Sequence, residues 1–88
     1  MSETTISYAD LTFVVDERIR RHLQSATGAA AQGNRLMREH YLIAATEGFN
    51  CWAAITGWMP AESESAGDQS RLCGMIDAAR RKTFGLEP

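Results

Sequence analysis

Apolar side chains at Tyr8, Leu11, Val15, Ile19, His22 and Ala26 recur at spacings of three and four, with Val14 and Leu23 beside them, and this pattern predicts an amphipathic helix. Ser7 supplies a start signal, its hydroxyl suited to cap the first exposed amides, and Asp10 three residues on makes a variant of the capping box. Asp16 with Arg20 and Glu17 with Arg21 are acid-first i,i+4 pairs on the side of this helix expected to face water. Gly33 and then Asn34 read as a stop followed by a new cap, so a second helix is predicted from Arg35 to Met59, where Pro60 closes it. Asp68 is placed to cap a third helix running to about Phe84, with Leu72, Met75, Ile76 and Ala79 inward, Arg80, Arg81 and Lys82 suiting the dipole of its last turn, and Gly85 as its stop. The predicted fold is all-α, a small three-helix bundle with helices at about 8–31, 35–59 and 68–84.

The second helix carries two apolar stripes, and that sets its expected place. One stripe is Met37, Tyr41, Ala44, Gly48, Cys51, Ile55 and Trp58; the other is Leu42, Ala45, Phe49, Trp52 and Met59. Only the ridge through Arg35, Glu39, Thr46 and Asn50 is clearly polar. A helix apolar on two sides normally has a neighbour on each flank, so the second helix is expected to be central. Residues 49–59 hold both tryptophans and only Asn50 and Thr56 as polar side chains, so no face of that segment is fully suited to water. Phe49, Trp52, Ile55, Trp58 and Met59 are therefore the candidate interface, with both tryptophans expected to be withdrawn from water in the functional assembly.

Eighty-eight residues make one domain, 1–88, with little stability in reserve, and oligomerisation or a partner would add to it. Residues 1–6 are expected to be a flexible N-terminus, and Pro60-Ala61-Glu62-Ser63-Glu64-Ser65-Ala66-Gly67 reads as an acidic linker at 60–67. The 44 % hydrophobic and 23 % charged content is that of an ordinary globular protein, and a net charge of −2 gives no reason to expect a polyanion or membrane surface as partner. Charge is uneven along the chain: Glu39, Glu47, Glu62, Glu64 and Asp68 fall in a stretch without lysine or arginine, between two mildly basic ends. The first residues lack the basic start and apolar run of a secretory signal, and the expected location is the cytoplasm. Cys51 and Cys73 form no CxxC-type pair and are expected to be buried, reduced thiols. The preference for arginine over lysine suggests a GC-rich bacterial or phage genome.

Candidate chemistry is sparse. His22 and His40 have acids nearby in sequence but no Glu-x-x-His element of the kind a bundle metal site uses. His40 stands eleven positions before Cys51, about 16 Å along one helix, too far to activate the thiol. No glycine-rich phosphate loop and no GxSxG motif occurs, so the expectation is no enzyme, no metal and no cofactor. Arg18, Arg20 and Arg21 would join Arg80, Arg81 and Lys82 in one basic patch if the first and third helices are neighbours, although adjacent acids make this a weak phosphate footprint. The expected function is a non-enzymatic protein-protein interaction module: an accessory subunit, regulator or phage-type inhibitor that binds a partner protein and is itself a homodimer.

A second reading begins at Leu11-Thr12-Phe13-Val14-Val15, which also suits a short strand by alternation and β-branched content, with Asp16 capping a helix from Glu17. Strand, helix from Glu17 to Leu23, turn, and second helix from Asn34 to Glu39 together resemble the ribbon-helix-helix DNA-binding repressors over about 30 residues. That resemblance implies a dimer whose paired strands enter the major groove and whose second helix holds phosphate at its N-terminus. The strand offers none of the Arg, Lys, Asn or Gln groups that usually read base edges, so nucleic acid is the alternative partner and a protein the favoured one.

Overall fold

The computed structural model describes residues 7–59 and 64–85. It contains three helices, α1 (Tyr8–Ala31), α2 (Arg35–Thr56) and α3 (Ser65–Gly85), packed against one another as a small all-α bundle. The expectations for residues 1–6 and for residues 60–63 of the linker lie outside the described residues.

The start of α1 and the corner to α2 follow from local chemistry. The Ser7 Oγ accepts the Asp10 amide at 3.1 Å, satisfying one of the amides that a helix start leaves open. At the far end Gly33 takes φ +73°, a conformation that costs glycine nothing. Its amide reaches Ala30 O at 3.0 Å and the Asn34 amide reaches Ala29 O at 2.8 Å, the paired bonds of a Schellman stop. Asn34 then caps α2, its Oδ1 accepting the Met37 amide at 3.1 Å.

Residues 11–15 lie inside α1, and the described residues contain no strand. The Leu11 amide already bonds Ser7 O at 2.9 Å, so the cap commits the chain to helix before the β-branched run begins. The ribbon required by the ribbon-helix-helix resemblance is thus replaced by helix.

Two boundaries also differ from expectation. Helix α2 ends at Thr56 rather than Met59; after it the Trp58 and Met59 amides bond carbonyls only three residues back, at 3.0 and 3.1 Å, which tightens the chain out of the α-helical register. Helix α3 starts at Ser65, within the stretch expected to be linker, and the Asp68 amide bonds Glu64 O at 2.9 Å. Asp68 is therefore a first-turn residue, not the cap. Its carboxylate is held from the other end of the chain, accepting the Tyr8 hydroxyl at 2.7 Å.

Helix α1, not α2, is the shared neighbour, since it makes the more extensive contact with each of the other two. Thr12 meets Trp52 and Ala26 packs with Leu42, so α2 runs back along α1, while Tyr8 with Asp68 and Ala26 with Ala79 set α3 running the same way as α1. Leu11, Ile19, Ala45, Trp52, Leu72 and Ile76 form the larger core cluster, and Ala26, Leu42 and Ala79 continue it towards the Gly33 corner. At the centre Trp52 is 1 % exposed, flanked by Tyr8 and by a stacked Phe49. Its indole N–H donates to Thr12 Oγ1 at 2.9 Å, which satisfies the one polar atom that this ring buries. Both cysteines are exposed, against expectation: Cys51 lies on the outer margin of its stripe, which is half-buried at Tyr41 and Gly48, and Cys73 lies outside the Leu72–Ile76 ridge.

Candidate interaction surface

One of the two apolar stripes of α2 is enclosed and the other is not. Leu42, Ala45 and Trp52 are buried and Phe49 and Met59 half-buried against the core. The stripe through Tyr41, Ala44 and Gly48 is half-buried and opens at Cys51, Ile55 and Trp58. Trp58 is 92 % exposed and Ile55 45 %. Leu36 at 81 % and Ile43 at 53 % add two more large apolar side chains to the outer side of the same helix. At 100° per residue Leu36, His40, Ile43, Glu47, Cys51 and Ala54 fall within a narrow sector of α2, with Ile55 about 40° beyond it and Trp58 just past the helix end. Glu47 and His40 are its charged and titratable members.

Of the five candidate interface residues, Ile55 and Trp58 therefore stand on this outer face, Phe49 and Met59 lie partly covered, and Trp52 belongs to the interior. Leu36 and Ile43 were missing from that set. Their signal lay in the spacing of Leu36, Ile43 and Ala54, which places them together between the Tyr41–Ile55 stripe and the polar ridge of Arg35, Glu39, Thr46 and Asn50.

The seam between α1 and α3 is of a different kind. Asp16 accepts from Arg20 and from Arg71, and Arg71 also reaches Asp68 at 3.3 Å, so a continuous chain of charged hydrogen bonds runs from Tyr8 through Asp68, Arg71 and Asp16 to Arg20. Burial would raise the pKa of the Asp16 carboxyl, but the hydrogen bonds and positive charges of Arg71 and Arg20 outweigh it and hold Asp16 below the usual carboxylate value. Below this network a groove of about 520 Å³ runs between the helices, lined by Leu23, Met75 and Ala79 with Arg20 and Lys82 at its rim. Of the six residues of the expected basic patch, Arg20 and Lys82 share that groove, while Arg18 and Arg21 flank Phe13 and Val14 on α1. Arg20 and Arg21 also face their own i,i+4 acids, at 3.9 Å for Arg21 and Glu17. Among the described charged residues Arg38 is the buried exception, 3 % exposed and paired with Glu39 at 2.8 Å.

His22 is half-buried and His40 exposed, and His40 sets its ring edge-on to Tyr41 at 5.4 Å. Among the described residues no group of three or more His, Cys, Asp or Glu side chains converges, and no helix is long and apolar enough to cross a membrane. No protein-family model, curated protein or solved structure matches the chain.

Proposed function

We propose that this protein is a non-enzymatic interaction module that acts by covering part of another protein's surface with the outer face of α2. It would serve as an accessory subunit, regulator or inhibitor in the cytoplasm of a bacterium or a phage-infected cell. The observation that carries this reading is the concentration of Leu36, Ile43 and Ile55 along the outer side of α2 and of Trp58 just past its end, all 45 % exposed or more. Clustered exposed apolar residues mark binding surfaces, and tryptophan is among the residue types that contribute most when such surfaces are buried.

The reading is tested by immobilising the chain and recovering bound protein from host extract, with a photo-reactive residue at position 58 to record direct contact. Ile43→Glu and Trp58→Ser should each abolish recovery, whereas Arg81→Ala, on exposed α3 surface, should leave it intact. Equal recovery by all variants would overturn the proposal.

A further inference from the structure

Helix α1 carries a second open surface, on the side away from Thr12 and Ile19. Phe13, Glu17, Arg20 and Gln24 are all exposed there and, at 100° per residue, fall within about 60° of one another. Phe13 is the largest apolar side chain that α1 leaves in water, 66 % exposed. Three turns further on, Gln24 edges the groove of about 520 Å³ lined by Leu23, Met75 and Ala79. One chain thus holds both an apolar knob and an apolar recess. Between them stand Glu17 and Arg20, their side chains 53 % and 59 % exposed. Glu17 meets Arg21 only at 3.9 Å, and Arg20 gives Asp16 its Nε, so the carboxylate and the terminal guanidinium nitrogens are each open to a further partner.

We infer that a second copy of the chain covers this surface, the two α1 helices packing antiparallel about the point between Arg18 and Ile19, with Phe13 of each copy seated in the groove of the other. In this arrangement each Glu17 meets the partner copy's Arg20, and the pair occurs twice, as an isologous contact requires. Phe13 falls level with the partner copy's Gln24 at the mouth of the groove. Asp10 falls level with the partner copy's Thr27, which lines the same groove as Lys82. Charge, not spacing, singles out this register. Sliding one copy by three positions either way opposes two Glu17 or two Arg20; sliding by four opposes Glu17 to Asp16 or Arg20 to Arg21. Like charges brought together in this way cost affinity. The seam from Asp10 to Thr27 is about 26 Å long and one helix face wide, so it buries on the order of 1,000 Å² in total, enough for a reversible dimer and too little for a permanent one. It is separate from the outer face of α2 and does not rest on that face binding anything.

Sedimentation equilibrium of the purified chain, from low micromolar to several hundred micromolar, reads the association directly. Wild type should pass from monomer to dimer across this range, and Phe13→Ser should weaken dimerisation by more than about tenfold with an unchanged helical spectrum. The register is tested by exchanging charge. Glu17→Arg and Arg20→Glu should each remain monomeric alone, because each opposes like charges twice across the seam. Mixed in equal amounts, the two variants should associate, since every layer then joins opposite charges, and the double variant should regain the homodimer. Circular dichroism of each variant confirms that the helices persist. A wild-type chain that stays monomeric at the highest concentration, a dimer unmoved by Phe13→Ser, or two folded charge variants that do not associate on mixing would overturn the inference. A dimer lost on Trp58→Ser but kept on Phe13→Ser would overturn it too, and would place the second copy on the outer face of α2.

Discussion

On the inner face of α2, Leu42, Ala45 and Trp52 are sealed against α1, while on the outer face Leu36, Ile43 and Trp58 stand in water. The two faces draw on the same residue types. What separates Trp52 from Trp58 is not hydrophobicity but the presence of a neighbour, in the form of Thr12 at hydrogen-bond distance and the rings of Tyr8 and Phe49. A three-helix bundle this small has enough partner surface to cover one side of α2. The inner face accordingly holds the fold together, and the outer face is left available for association.

Substitutions separate these two roles. The largest effect is expected from Trp52→Ala, which removes the centre of the core and should cost about 3–5 kcal/mol, most of the stability such a domain has. Urea unfolding monitored by circular dichroism measures it, and a midpoint near wild type would place Trp52 outside the core. Thr12→Val is next. It keeps the shape but leaves the buried indole N–H without its acceptor, so a loss of about 1–3 kcal/mol is expected in the same assay.

These inner-face contacts show how far the sequence could be read. Helix starts at Ser7 and Asn34 and the stop at Gly33 were legible because each depends on hydrogen bonds within a few residues. The start of α3 was not. Its first turn, Ser65-Ala66-Gly67, has the composition of a linker, and Asp68 beside it is tied to Tyr8 across the fold, a contact that no local pattern announces. The two stripes of α2 were likewise visible as periodicity. Which of them α1 would cover was not, because that depends on how α1 and α3 share the remaining surface. Helix α1 became the common neighbour because its Asp16 and Tyr8 bind α3 while its Thr12 and Ile19 side faces α2.

A smaller effect is expected at the charged seam. Asp16→Asn should cost no more than about 1 kcal/mol at neutral pH, since its partners are partly solvated. The pH dependence is more informative. The depressed pKa of Asp16 means that its contribution is fully present above the ordinary carboxylate value and is lost as pH falls through the lower folded value. Urea midpoints should therefore fall less steeply on acidification in Asp16→Asn than in wild type; identical acid limbs would show that the Arg71 and Arg20 contacts do not hold the carboxylate. The smallest effect on monomer stability belongs to the outer face. Trp58→Ala should change unfolding of the dilute chain by less than about 0.5 kcal/mol, although the residue is as large as Trp52.

The contrast between the two tryptophans can be observed in the unaltered sequence. Fluorine NMR of the chain labelled with fluorotryptophan, recorded in light and heavy water over a range of concentrations and assigned with Trp58→Phe, reports the solvent contact of each ring. The Trp52 signal should show no solvent isotope shift, while the Trp58 signal should show a full shift in the dilute chain. A Trp58 ring shielded in the dilute chain, or a Trp52 ring with a full shift, would contradict the division of α2 into a face that folds and a face left open.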